Sequence, residues 1–339
     1  MTGHRDRRHV RPMNAIRTSR GNRSARLLAT AMALALHAMA APPGFHEHLG
    51  MANASAVAIL QGPWFAVASD ESNTLRVFQS DKDGEPSSLV DLGPHAGLLG
   101  RSDELDIEGA ARVGNLVFWM GSHGRSKEGK ARPNRQRILA TRVVGDGANA
   151  RLQPSGVPYT RFLQDILADT RYAALGLAAA SRRAPEQGGI NVEGMAATPG
   201  GGLVVGFRSP LVHGKALAAP ILNPAEIMED KQAMLGDPLL LDLDGRGIRD
   251  MTWTGKEWFV IGGGAKGAGK PRLYRWAGGA SSPEPVKDTG FKHFHPEALA
   301  ARASGTGDGI ELLVLSDDGG GKSPNRGSPA KFRSFLVKP

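Results

Sequence analysis

Apolar positions along this chain fall in short runs broken by turn residues, and the runs repeat one grammar. A polar or acidic start leads into a short apolar strand. A turn follows, then a stronger apolar strand that ends in Gly or Ser and polar residues. Four copies are clear: Asp106–Ala111 with Leu116–Gly121, Asn191–Ala196 with Leu203–Gly206, Gly247–Thr252 with Trp258–Gly262, and His295–Ala300 with Leu312–Ser316. Ala56–Leu60 with Trp64–Ser69 is a divergent first copy. Further strand-like stretches follow, at Thr74–Gln79, Arg137–Val144, Leu239–Asp242, Arg272–Trp276 and Phe332–Val337. Repeats near 50 residues, each of about four short strands, predict an all-β fold of the β-propeller type.

The spacing from Glu193 to Asp250 (57) and from Asp250 to Glu297 (47) suits one blade each, whereas Glu108 to Glu193 (85) is too long. Residues 159–183 account for the excess. There Phe162, Leu163, Ile166 and Leu167 fall at helical spacing in Ala-rich sequence between Pro158 and Pro185, which predicts a helical insertion. Setting it aside leaves five blades, with a sixth blade hidden in this region as the alternative. The insertion reads either as a helix packed on a blade edge or as a rim over the tunnel, and its position in sequence does not separate the two.

Composition narrows the chemistry. With 339 residues and no Cys, the chain can bury a core but has no disulfide scaffold, thiolate nucleophile or Cys-ligated metal. Its formal charge of +9 is uneven: residues 1–26 hold eight Arg against Asp6, a net of +7, which leaves +2 for the rest. Leu27–Ala40 is a short apolar run ending in Ala38-Met39-Ala40. A basic segment, a short apolar stretch and an A-x-A site form an export signal, although Arg7-Arg8 lacks the surroundings of a twin-arginine signal. The expected organisation is a signal over 1–40, a linker over 41–56 and one propeller domain over 57–339, periplasmic or secreted and monomeric. With the basic residues removed, nucleic acid is not an expected partner, and no stretch of the mature chain is apolar enough to span a membrane.

The repeat also places chemistry. The start of each first strand and the end of the next lie on one face. That face is expected to gather Glu108, Glu193, Asp250 and Glu297 from strand starts, and Asp70, Glu71, His123, Arg125, Arg208, Asp317 and Asp318 from strand ends. Arg249 and His295 stand beside their acids. Crowded carboxylates repel one another until protonation, Arg partners or a cation relieve them. Glu193 with Arg208, or Glu108 with Arg125, can equally be ion pairs that fix strand register. Gly264–Lys270 has P-loop spacing, but Pro271 stands where a metal-binding hydroxyl belongs and a strand follows, so it reads as a turn. His46-Glu47-His48 reads as a disordered terminus, and Gly319–Ser328 as a loop or flap beside Asp317 and Asp318. No Gly-x-Ser-x-Gly elbow is present.

The segments DIEGAA…VFWMGSHGR, INVEGMA…GGLVVGFRSPL, GIRDMTW…WFVIGGG…RLYRW and HPEALA…LLVLSDDGG resemble a bacterial family called the domain of unknown function 3616 family, over essentially Val57 to Val337. More distantly, the Glu-Gly-hydrophobic-Ala strand is similar to that of esterase-like phytase propellers. Two departures stand out. Glu297 is followed by Ala298 instead of Gly, and Asp250 follows Gly-Ile-Arg where Glu-Gly is expected.

Two functions are therefore expected to compete. One is a hydrolase of a small anionic ester, a phosphoester or lactone, in which Glu108, Glu193, Glu297 and Asp317 hold a divalent cation such as calcium or magnesium. Arg125, Arg208 and Arg249 would bind the anion, and His123 or His295 would move protons. The other is a non-catalytic propeller that binds an anionic ligand, a glycan or an envelope protein.

Overall fold

The computed structural model describes residues 44–98, 100, 103–265, 269–304, 309–317 and 330–339. Residues 1–40, where an export signal is expected, Asp318 and the loop at 319–328 lie outside them. The described residues form five four-stranded antiparallel sheets arranged as a five-bladed β-propeller. Strand β1 (His46–Leu49) stands apart from the first sheet, which contains β2 (Ala54–Gln61), β3 (Trp64–Ser69), β4 (Ser72–Gln79) and β5 (Ser88–Asp91). The second contains β6 (Ile107–Val113), β7 (Leu116–Gly121), β8 (Ile138–Val144) and β9 (Arg151–Tyr159). The third contains β10 (Asn191–Ala197), β11 (Leu203–Ser209), β12 (Ala216–Ile221) and β13 (Leu239–Leu241). The fourth contains β14 (Gly247–Trp253), β15 (Trp258–Gly263), β16 (Arg272–Trp276) and β17 (Glu284–Pro285). The fifth contains β18 (Pro296–Ala303), β19 (Ile310–Ser316) and β20 (Lys331–Val337), and β1 completes it as the outermost strand.

The second strand of each blade reads as a nearly continuous apolar run because both of its faces are covered. Successive side chains point to opposite faces of a sheet. On β7, Val117 and Trp119 enter the cluster shared with the first blade, while Phe118 and Met120 enter the cluster shared with the third. On β19, Leu313 and Leu315 face the first blade and Leu312 and Val314 face the fourth. Five such clusters fill the five gaps between blades. The inner strands β2, β6, β10, β14 and β18 each lie against the inner strands of both neighbours and enclose a central tunnel.

The N-terminal segment differs from the sequence reading. His46–Leu49 is neither linker nor disordered terminus: it pairs antiparallel with β20, His48 opposite Phe332. His48 is fully buried, its Nε2 lies 2.7 Å from Ser334 Oγ, and its ring packs among Phe65, Phe78 and Phe332. A histidine so enclosed is core, and it ties the start of the chain to its end.

The insertion resolves into α1 (Phe162–Ala168), α2 (Thr170–Ala173) and α3 (Leu177–Ala180). Phe162, Ile166, Tyr172, Leu177 and Ala180 are buried in the cluster between the second and third blades. The helices therefore pack on blade edges. The turn that follows them is what reaches the tunnel face.

Candidate functional site

The first strand of every blade carries the same irregularity. Ser55, Glu108, Glu193, Arg249 and Glu297 are each the extra residue of a β-bulge, with no partner across the pair to the second strand. A bulge turns its extra side chain out of the ladder. Here it does so five times around one mouth of the tunnel. Arg208 on β11 sits at a second bulge, opposite the segment that carries Glu193.

The position after each bulge is small where neighbouring inner strands approach: Ala56, Gly109, Gly194 and Ala298. A Cβ on Gly109 would lie 3.0 Å from Met195 Cβ, and one on Gly194 would lie 2.9 Å from Ile248 Cγ2. The Glu-Gly pairing thus has a steric reason. In the fourth blade the same two positions hold Arg249 and Asp250, so Asp250 is not a member of the ring. Its carboxylate is buried in the tunnel wall and accepts the N–H groups of Met251 (2.8 Å), Leu299 (2.6 Å) and Met195. Burial pushes this carboxyl well above the usual range, and those three donors oppose the shift.

Around the mouth the expected residues separate into two groups. Glu193 pairs with Arg208, and Glu297 with Arg249. On the side of the first and second blades, Asp70, Asp106 and Glu108 offer carboxylate oxygens that all lie within 4.8 Å of one another. Asp106 is held by Ser122 Oγ and by Arg135 Nη1 at 2.9 Å. Glu108 and Asp70 have no basic partner within ion-pair distance among the described residues, and Asp70 Oδ1 is buried without a hydrogen bond. Burial pushes the Asp70 carboxyl up to about 7, with Asp106, Glu71 and Asp317 adding repulsion. Glu108 rises well above the carboxylate range through burial, then Glu193, Asp106 and Asp70, with Arg249 opposing. Glu193 is 5% exposed, and its Oε2 has no partner.

A cavity of about 390 Å³ opens over this group. Asp106, Glu108 and Glu193 line it together with Arg125, Arg135 and Arg208. Pro185 and Glu186, from the turn after α3, form part of its rim. Arg125 also binds the Ser181 carbonyl (2.8 Å) and the Gly129 carbonyl (2.9 Å), so it joins the insertion to the rim rather than pairing with Glu108.

The two histidines diverge. His123 is 2% exposed, its ring stands edge-on to Phe162 at 5.4 Å, and its Nδ1 lies 2.8 Å from the Gly121 carbonyl oxygen. Burial pulls its imidazole down to about 4. His295 is exposed, just ahead of β18, and its carbonyl accepts the Asp317 N–H at 2.9 Å. Asp317 lies close enough to act electrostatically on both Asp70 and Arg249. The spacing argument missed Asp106 and Arg135 as site residues. Asp106 was legible as an acid two positions before Glu108, whereas Arg135 arrives from a loop with no periodic signal.

The family model described as Protein of unknown function (DUF3616) matches residues 53–149 and 161–294, more than half of the chain. No curated protein matches. Among solved structures, the chain is similar to a putative oxidoreductase (glucose dehydrogenase) of Thermus thermophilus, with 15% identity, 87% of this chain and 100% of that chain covered, and a TM-score of 0.40. It is similar to the glutaminyl cyclase of Myxococcus xanthus at 11% identity, 87% and 95% coverage and a TM-score of 0.44. The Malassezia sympodialis allergen Mala s 1 gives 10%, 81%, 89% and 0.45 in the same order. Resemblances at this level carry no argument about what the chain does.

Proposed function

The chain belongs to the family described as Protein of unknown function (DUF3616), and from that premise we propose that it is an exported propeller hydrolase that holds a divalent cation at the tunnel mouth and acts on a small anionic ester. The observation that carries this reading is the group Asp70, Asp106 and Glu108, whose carboxylate oxygens converge within 4.8 Å. Two of the three have no basic partner among the described residues. Repulsion of this kind is relieved by a cation of calcium or magnesium type, which takes carboxylate oxygens. Glu193, with a buried and unpartnered oxygen in the same cavity, stands by as a further ligand. The set expected from sequence is revised accordingly: Glu108 stays central, Asp70 and Asp106 join it, and Glu297 is engaged by Arg249.

When bound, such a cation supplies Lewis-acid polarisation of a substrate oxygen. Arg208 and Arg125 line the same cavity and suit an anionic group through charge-assisted hydrogen bonds. His295 is exposed just ahead of β18 and so suits proton transfer better than the enclosed His123. Among the described residues no helix is long and apolar enough to cross a membrane.

The test is thermal melting of the mature protein with calcium, magnesium, manganese or zinc, against EDTA. A cation present at 100 times its Kd should add about 2.7 kcal/mol of stability. Asp70→Asn and Glu108→Gln should lose that gain, and Glu297→Gln should keep it. If every cation leaves the wild-type melt unchanged, the metal reading fails. Where a cation does bind, chromogenic phosphomonoester, phosphodiester and lactone substrates then decide between hydrolase and non-catalytic binder.

A further inference from the structure

The tunnel has a second chamber at the end away from the carboxylates. It is a cavity of about 270 Å³ lined by residues of all five inner strands, among them Val57, Ala110, Met195, Met251, Leu299 and Ala300. Its lining residues lie two to four positions beyond Ser55, Glu108, Glu193, Arg249 and Glu297 on their strands. At about 3.3 Å per residue, that places the chamber roughly 7–13 Å below the acidic mouth. Asp250 braces its wall: the carboxylate accepts the amides of Met195, Met251 and Leu299, three residues that line the chamber. The upper cavity and the lower, mostly apolar one share no lining residue.

Arg112 stands at the open end of the lower chamber. Its Nε donates to the Gly114 carbonyl at 2.8 Å, and its Nη1 donates to the Leu60 carbonyl of the neighbouring blade. These bonds fix the guanidinium at the mouth, and among the described residues no carboxylate pairs with it and no protein acceptor takes Nη2. At the upper mouth Arg135, Arg208 and Arg249 each have a carboxylate partner, whereas Arg125, like Arg112, is bonded to backbone carbonyls. Taking a cation partly out of water without a counter-ion is costly. A mostly apolar chamber with a fixed cation at its open end, without a carboxylate partner among the described residues, is complementary to an amphiphilic anion.

We propose that the lower chamber binds a free, unbranched medium-chain carboxylate, its alkyl tail between the five inner strands and its head group on Arg112. At roughly 30 Å³ for each water-sized group, the chamber accepts about nine carbons.

Calorimetry on the full mature protein in EDTA, with butanoate through dodecanoate, tests this. Affinity should rise about fourfold per methylene and level off near nine carbons. Octylamine should bind at least about tenfold more weakly than octanoate, because it brings a like charge to Arg112. A bromine-tailed octanoate should quench tryptophan fluorescence, and the quenching should shrink in Trp253→Phe, since Trp253 lines the chamber. Arg112→Gln should remove the preference for carboxylate over amine. Ala300→Leu, with its fold checked by circular dichroism, should fill the chamber and abolish binding. Adding calcium or magnesium should leave octanoate affinity unchanged, which separates this site from the upper one. No binding of octanoate at millimolar concentration, no dependence on chain length, or equal affinity for octylamine overturns the proposal.

Discussion

Burial among Phe65, Phe78 and Phe332 pulls the His48 imidazole from its ordinary 6.5 down to about 4, with His46 adding repulsion and Asp83 opposing. Between those values the unfolded chain binds more protons than the folded one. The stabilisation is therefore complete above pH 6.5 and is lost as pH falls toward 4, by about 3 kcal/mol at full shift. His123 and His95 are shifted in the same direction, so His48→Gln should remove part, but not all, of the histidine-linked slope in melts between pH 7 and pH 4. A variant with the wild-type slope would mean that His48 is solvated. At this scale the sequence was informative where one residue type has one role. Glu193 with Arg208 was legible as a pair because a strand start and the end of the next strand share one face. Glu108 with Arg125 looked the same in sequence, yet Arg125 is held by Ser181 and Gly129. Their spacing along the chain gives no hint of which carbonyls a long side chain will find.

The repeated element is the bulged inner strand, and it explains why Glu-Gly recurs. The bulge aims one side chain at the mouth, and the following residue must be small because the next inner strand passes against it. Gly194→Ala puts a Cβ 2.9 Å from Ile248 Cγ2 and 3.1 Å from the Asp250 backbone. We expect a loss of about 1–3 kcal/mol in urea unfolding, with the cation-dependent gain at the upper site also weakened because Glu193 moves. A neutral result would show that the strands have slack. Second strands were legible because apolar runs covered on both faces leave a strong signal. Third and outer strands were less so: Arg151–Tyr159 contains Pro154, Gly156 and Pro158, and Ala216–Ile221 is half Ala and contains Pro220. Edge and small-residue strands are held by their neighbours, and that is tertiary information. The bulges themselves left no mark beyond the Glu-Gly and Arg-Asp pairs.

For the molecule as a whole, closure of the ring depends on four residues near the start of the chain. β1 supplies the outer strand of the fifth blade, so a chain beginning at Gly50 exposes the β20 edge and removes His48 from its aromatic box. Amide exchange at Lys331–Ser334, the partners of β1, should accelerate by about tenfold or more, and the unfolding midpoint should fall. Unchanged exchange would show that the blade is stable without its last strand. The sequence by itself determined the repeat, the all-β class and the side of the propeller on which charge collects; it favoured five blades with six still open, and the structure has five. These follow from local periodicity, which each strand carries in its own residues. Only the tertiary structure decided which carboxylates meet and which are neutralised. It also decided that Asp250 belongs to the tunnel wall and that His46–Leu49 completes the fifth sheet. Each of those outcomes depends on groups far apart in the chain arriving within a few ångströms of one another, and no local pattern encodes such a meeting.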